Sequence, residues 1–455
     1  MRNMRASLLA FALVLLGCGG AEDAGGTQGG GATSDGGGGA SGGAFPGGGG
    51  APASGGSAGS AAGGVAGGGG SGGGGGSGGS GGGGAGGGSG GGSGSGGGSG
   101  SGGGGNFTPD GCFKWSGKSS LQSAVNDHAC VEVQAGTYSL GAGVVMPAGH
   151  TLRGVSAAQA ILKADQAAWK FNCCDSMISE GPGAENDPFK VKNLTLDGAG
   201  VATYNVCCRG YSVEGSVLRR SRCSAIGAAG KGVSAKNNQM LESAQPTSVP
   251  GKGTVSCATG GFGGVAEGAA IYSEAKAESF GTVIDGNVIK QSFGPALDVN
   301  GAWGGVFKNN IVSENTAWAA VSLYGASNWL IENNQISHPA SEPPQPYHPY
   351  CATGPAGGHS AGIFLCQDTD ANNLVTNGNK IVGNKTSSFY GILSVGADEL
   401  KPYFAPRNNT FQNNDVFGSN YGCADDFKPG QWMTDTNVWS GNNCTGTPGS
   451  GPGYF

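Results

Sequence analysis

No stretch of this chain gathers lysine and arginine into a basic stripe, and the formal net charge is −6. Nucleic acid, whose binding rests on phosphate contacts, is therefore excluded as a partner. No C-x-x-C pair and no Cys/His run at ligand spacing occurs, which removes zinc-finger-type metal sites. The longest apolar run, residues 8–16, falls well short of the roughly 20 residues that a membrane-spanning helix needs. Residues 19–105 contain no Lys or Arg and almost nothing but Gly, Ser and Ala, with more than half of the 99 glycines. Such a composition cannot bury enough apolar surface to offset chain entropy, so a disordered tether is expected, roughly 50 Å end to end as a Gly-rich coil.

What precedes the tether reads as an export signal. Arg2 and Arg5 open a short charged region before the apolar run, and Leu15-Leu16-Gly17-Cys18 resembles the bacterial lipobox. That resemblance implies removal of residues 1–17 and acylation of Cys18, with several acyl chains at one residue giving stable anchoring. The expected location is lipid-anchored at the outer membrane or cell surface, since Gly19 rather than Asp follows the cysteine. Apart from Cys18, twelve of the 13 cysteines remain, an even number suited to disulfides in an oxidising compartment. Local pairs are expected for Cys112 with Cys130, Cys223 with Cys257, Cys351 with Cys366, and Cys423 with Cys444. The doublets Cys173-Cys174 and Cys207-Cys208 are spaced by about one coil with a small insertion. Neighbours on a strand face opposite ways, so two bridges between the doublets are expected, one inside the coil stack and one outside.

Residues 106–455 form one expected folded domain. Its centre repeats V-I-D-G-N-V-I-K (283–290), V-F-K-N-N-I-V-S (306–313) and L-I-E-N-N-Q-I-S (330–337). Asn287, Asn310 and Asn334 recur at intervals of 23 and 24 residues. Such a period signals a solenoid, whose units cannot bury an apolar face alone. Alternation of apolar and polar residues builds each unit from strands. Asn237-Asn238, Gly286-Asn287, Asn309-Asn310, Asn333-Asn334, Gly378-Asn379 and Asn408-Asn409 are aligned at one turn, as a structural asparagine ladder. Leu121 and Val125, behind Ser119 and Ser120, predict a short helix capping the first coil. Residues 423–455 are expected to cover the other end.

Three further runs carry a resemblance: V-E-V-Q-A-G-T-Y (131–138), V-V-M-P-A-G-H-T-L-R-G-V (144–155) and A-I-L-K-A-D (160–165). Their succession resembles the opening of right-handed parallel β-helix proteins of the pectate-lyase superfamily, and the resemblance extends over 131–417. It implies an all-β, single-stranded right-handed parallel β-helix. The family's catalytic motifs are not carried over. No R-x-P-x-x-R stretch is present, Gly358-His359-Ser360 stands where polygalacturonases have G-H-G, Asp425-Asp426 lies far downstream, and R-x-K is missing.

A second strand recurs at 225–228, 270–273, 296–299, 320–323, 362–365 and 391–394. Its first apolar residue and the one two positions on are expected to face inward, leaving Tyr272, Glu274, Asp298, Asn300, Ser322 and Tyr324 on an outward polar patch. Insertions at 241–267 and 338–361 fall in the same turn and bracket that patch, the second bringing His348, Tyr350 and His359. Glu274 and Asp298 lie on a diagonal, one strand over and two residues along, about 8 Å apart, which suits an inverting glycosidase. Tyr272 and Tyr324 offer flat surfaces to sugar rings, and Asn300 and Ser322 offer hydrogen bonds. Alternatively, the two carboxylates hold a Ca²⁺ that neutralises a uronate while a His or Tyr transfers protons in β-elimination. No other cofactor is expected, and the metal remains open.

The expected function is a surface-anchored polysaccharide-active enzyme, a lyase or glycoside hydrolase, with Glu274 and Asp298 as catalytic groups. Its substrate site comprises Tyr272, Asn300, Ser322, Tyr324, His348, Tyr350 and His359, and the protein is expected as a monomer. The alternative is a non-catalytic glycan-binding or adhesion lipoprotein using the same face.

Overall fold

The computed structural model describes residues 106–171, 175–257, 270–274, 281–315, 319–338, 361–366, 376–394, 406–419, 421–425 and 436–444. The side chains of Tyr272, Glu274, Tyr421, Ala424 and Asp425 are not among the described features. The signal, the lipidation residue Cys18 and the tether also lie outside the described residues.

The chain winds as a right-handed parallel β-helix. Among the described residues it builds three long parallel sheets of 12, 11 and 10 strands, here sheets A, B and C. Each coil visits them in turn, as Val283–Asp285 in A, Val288–Lys290 in B and Leu297–Asn300 in C. The bore is filled by like-on-like stacks: Ile284, Phe307 and Ile331 pair in register in sheet A, and Ile289, Val312 and Ile336 in sheet B. These residues are fully or almost fully buried. Short strands with one apolar inward residue each therefore suffice, because neighbouring coils complete one another's core.

The turn from A to B carries the asparagine ladder. Its first residue takes a left-handed backbone, with φ of 54° at Asn237, 68° at Gly286 and 54° at Asn309, which only Asn and Gly adopt readily. Its second residue is buried, and its amide Nδ2 donates to the Oδ1 of the next coil's copy. The bonds are 3.0 Å for Asn238 to Asn287, Asn287 to Asn310, and Asn310 to Asn334. Here the sequence alignment needs correction. The ladder continues through Asn384, Asn414 and Asn442, not through Asn379 and Asn409. Those two form a second ladder with Asn437 at the opposite end of the sheet A strands. Both turns have the same local requirement, a left-handed residue followed by a buried one, with Gly378 at 67° and Gly383 at 66°. One coil before Asn379, Trp329 fills the second position, and a Cβ on Gly305 would collide with its ring.

The N-terminal end is closed as expected. Helix α1 (Leu121–Asp127) buries Leu121, Ala124 and Val125, with Ser120 at its N-cap. The Gln122 carboxamide accepts from the Val145 backbone N–H and donates to the Val145 carbonyl, both at 2.8 Å. A side-chain amide thus stands in for a missing strand on the first edge of sheet C, which blunts that edge against pairing with another chain. At the other end, the expected cap is in part another coil: Tyr421–Asp425, Val438–Ser440 and Asn443–Cys444 join sheets C, A and B. Residues 445–455 lie outside the described set. Trp439 stacks on Phe411 at 3.8 Å between ring centres.

Cys112 is bonded to Cys130, Cys223 to Cys257 and Cys423 to Cys444. Cys366 is disulfide-bonded, and its expected partner Cys351 lies outside the described residues. The doublet expectation is overturned: Cys207 and Cys208 are bonded to each other. Their strand ends at Val206, so the alternation invoked for the doublet does not reach it. Cys173 and Cys174 lie outside the described residues.

The first coils are pinned by an outer ion cluster. Arg153 reaches Asp110 at 2.6 Å and Glu132 at 2.7 Å. Hydrogen bonding from Arg153 holds the Asp110 carboxyl far below the ordinary carboxylate range. A carboxyl depressed in the folded state contributes stability that is complete above its unfolded pKa, about 4, and fades as pH falls further. Acid titration below pH 4 should therefore loosen the N-terminal coils. Asp110→Asn should flatten that part of the profile, read by hydrogen exchange at Thr151 and Leu152 at pH 3 and pH 6; identical profiles for both proteins would refute it.

Candidate functional site

The outward face of sheet C has the expected register. Tyr272 pairs with Asp298 and Glu274 with Asn300; Asp298 then pairs with Ser322 and Asn300 with Tyr324. Ser322 continues to Phe364 and Tyr324 to Cys366. The inward partners Leu297, Val299, Val321 and Leu323 belong to the bore, which fixes the other set as outward. The position before each first inward residue is small, as at Ala296, Ala320 and Gly362, and a Cβ on Gly362 would lie 2.7 Å from the Gly391 carbonyl oxygen.

The face is not an open cleft. Asp298 is 2% exposed, Ser322 0% and Tyr324 2%, whereas Asn300 is half-buried. Tyr324 belongs to a second apolar cluster outside the bore, with Ala319, Ala361, Phe364, Cys366, Tyr390 and Leu393. The expectation of Tyr324 as a solvent-facing sugar platform is corrected on that ground. Its ring is committed to aromatic and aliphatic neighbours from later coils, which the sequence alignment placed on the face without showing their packing. The face thus divides into a polar part, Asp298, Ser322 and Asn300, and an apolar part beyond it. Among the described residues the Ser322 hydroxyl has no hydrogen-bond partner. A buried carboxylate beside a buried hydroxyl acts in a low-dielectric setting, where its charge bears more strongly on a bound molecule than in water.

The Tyr272 and Glu274 side chains, and His348, Tyr350 and His359 entirely, lie outside the described features. Two lysines flank the face in sequence: Lys231, which is exposed, and Lys276, which lies outside the described residues. Among the described residues, no three His, Cys, Asp or Glu side chains gather in a way that would hold a metal ion. On the sheet C face the described side chains of the central coils supply one carboxylate, Asp298, against the six to eight oxygens that Ca²⁺ takes.

A charged cluster upstream escaped the sequence reading. Asp175, Thr203 and Arg222 precede successive strands of sheet C, and Asp175 accepts from Trp169 Nε1, the Thr203 hydroxyl and Arg222. Arg222 is fully buried and its guanidinium lies 5.4 Å from the centre of the Phe171 ring. Lys252, from the first insertion, donates to the Trp169 carbonyl at 2.7 Å and sits 4.5 Å over the same ring. Together with Cys223–Cys257 these contacts fasten the insertion, including its hairpin of Thr247–Val249 and Gly253–Val255, to the flank of the coils. The alignment of this strand begins at 225–228; extending it back to Asp175 and Thr203, which precede Ser176–Glu180 and Tyr204–Val206, would have found the cluster.

Residues 263–443 match the family described as right-handed beta helix region. No curated protein matches. Among solved structures, the chain is similar to the catalytic domain of a GH87 alpha-1,3-glucanase in complex with nigerose, at 13% identity and TM-score 0.39, covering 73% of this chain and 68% of that one. It is also similar to the A-module of the Azotobacter vinelandii mannuronan C-5 epimerase AlgE6, at 15% identity and TM-score 0.36, over 72% of this chain and 96% of that one. An alginate lyase from Paenibacillus sp. is similar at 13% identity and TM-score 0.34, over 71% and 96%. At such identities and scores the likeness carries nothing about activity.

Proposed function

We infer that the protein is a surface-anchored polysaccharide-active enzyme, a glycoside hydrolase or lyase, acting at the polar part of the sheet C face. The observation that carries this reading is Asp298, an outward carboxylate almost wholly buried and paired in register between Tyr272 and Ser322. A carboxylate held in so dry a place bears more strongly on a group bound beside it than one in water does.

In the hydrolytic form, one of Glu274 and Asp298 protonates the leaving glycosidic oxygen. The other takes a proton from the water that attacks the anomeric carbon from the opposite side. Their backbone offset, one strand and two residues, gives a separation of about 8 Å, within the range of inverting enzymes. Asn300, half-buried on the same face, would orient a sugar hydroxyl. The lipobox-like Leu15-Leu16-Gly17-Cys18 and the composition of the Gly-rich segment support export and anchoring.

The test is an assay of residues 106–455 on a panel of uronic-acid and neutral polysaccharides, with and without Ca²⁺. New reducing ends without ultraviolet-absorbing unsaturation would indicate hydrolysis, and both together elimination. Neither product on any member would remove the enzymatic reading and leave the binding one.

A further inference from the structure

Away from the sheet C face, one outward column runs along the turn between sheets C and A. Trp303, Ser327, Asn377 and Arg407 occupy successive coils as parallel bridge partners. Their predecessors Ala302, Ala326, Thr376 and Pro406 are buried, so the four residues point outward. Backbone bonds hold each coil to the next: Gly304 N–H to the Ser327 carbonyl at 2.9 Å, Asn328 to Asn377 at 3.0 Å, and Gly378 to Arg407 at 3.3 Å. The column is therefore preorganised on ladder hydrogen bonds, not carried on a long loop.

Two of its members are exceptional in this molecule. Among the described tryptophans, Trp115, Trp169 and Trp329 are buried and Trp439 is half-buried against Phe411, whereas Trp303 is 39% exposed. Among the described arginines, Arg153, Arg209, Arg219, Arg220 and Arg222 each pair with a carboxylate. Arg407 has no such ion pair, and the described residues supply its half-buried guanidinium no side-chain hydrogen bond. Between them, Asn377 Oδ1 accepts from Asn408 Nδ2 at 3.1 Å, which turns the Asn377 amide NH₂ outward as a donor.

An exposed indole, an amide donor and a free guanidinium thus lie along one column at the strand spacing, about 14 Å from first to last over three steps of ~4.8 Å. An indole face takes the apolar face of a sugar ring. A guanidinium takes a carboxylate through two parallel N–H bonds. We propose that this ridge is a binding site for an extended acidic polysaccharide, with a sugar ring on Trp303 and a uronate carboxylate on Arg407. The Arg407 cation supplies local charge complementarity for that occupant, against the chain's net charge of −6. The ridge lies outside the Glu274–Asp298 region, so its occupancy is independent of whether that region is catalytic.

The experiment is calorimetric titration of the full chain, and of its Trp303→Ala, Arg407→Gln and Arg407→Lys variants, with tetragalacturonate and with neutral cellotetraose. The parent should bind the acidic probe more tightly, by about tenfold in low salt, and lose that margin as salt is raised. Trp303→Ala should weaken both probes about tenfold. Arg407→Gln should weaken only the acidic probe, and Arg407→Lys should recover much of the salt-sensitive part. The substituted side chains point away from the bore, so an unchanged thermal midpoint checks each fold. Equal affinity of the parent for the two probes, or acidic binding indifferent to both Trp303→Ala and Arg407→Gln, would overturn the proposal. Weakening by Trp303→Ala alone would overturn the acidic specificity. Turnover enters none of these readouts, so a catalytic failure and a failure of the ridge are distinguishable.

Discussion

Asn334→Ala should destabilise the β-helix by about 3 kcal/mol or more, far beyond what an exposed asparagine would cost. Its Oδ1 accepts from both the backbone N–H and the side-chain Nδ2 of Asn310, at 2.9 and 3.0 Å. Its Nδ2 donates to the Phe307 carbonyl and to Asn384 Oδ1, both at 2.9 Å. Alanine would leave at least the Asn310 N–H and the Phe307 carbonyl buried without these partners, at about 1–3 kcal/mol for each orphaned group. The neighbouring Asn333→Gly substitution is the control. Asn333 holds φ at 53° and is a turn residue whose left-handed backbone glycine adopts freely, so its loss should stay within about 0.5 kcal/mol. Urea unfolding of both variants, with hydrogen exchange at Asn310, measures the difference. Equal midpoints would show that the ladder is ornamental. Because coils are stabilised by their neighbours, the Asn334 variant should also separate the two halves of the stack into less cooperative units, seen as a lowered m-value.

The architecture was legible because its determinants are local and periodic. Ala-Leu-Asp-Val at 296–299 and Ala-Val-Ser-Leu at 320–323 fix both register and facing, and the structure pairs Asp298 with Ser322 accordingly. What escaped is whatever has no period. Asn379 and Asn384 both follow a left-handed glycine, five residues apart, so local pattern alone could not say which continues the ladder. Burial of Tyr324 depends on Phe364, Tyr390 and Leu393 arriving from later coils, and composition does not report packing. Arg222 looks like any surface arginine until Asp175 and Thr203 from two earlier coils are placed beside it. Trp303 and Arg407 share a column through isolated bridges, with an intervening Ser and Asn that resemble neither. Sequence reasoning thus located the face and its register, but not its enclosure or the ridge beside it.

Asp298→Asn should reduce turnover by about 10²–10⁴-fold if the carboxylate transfers a proton in the reaction. The substitution keeps the shape of the side chain and removes its charge at a position only 2% exposed. A catalytic Asp298 therefore predicts lost turnover with retained glycan affinity and an unchanged or raised thermal midpoint, the pattern of a group held for chemistry at the expense of stability. A structural Asp298 predicts the reverse, a lowered midpoint with any surviving activity intact per folded molecule. Glu274→Gln should behave as Asp298→Asn does. The double variant should fall little below either single one, because an acid and a base that serve one transition state fail together. Steady-state kinetics on the most reactive polysaccharide, with calorimetric unfolding of the same samples, separates the outcomes. Multiplicative losses in the double variant would break the pairing of Glu274 with Asp298 while leaving each open to an independent role.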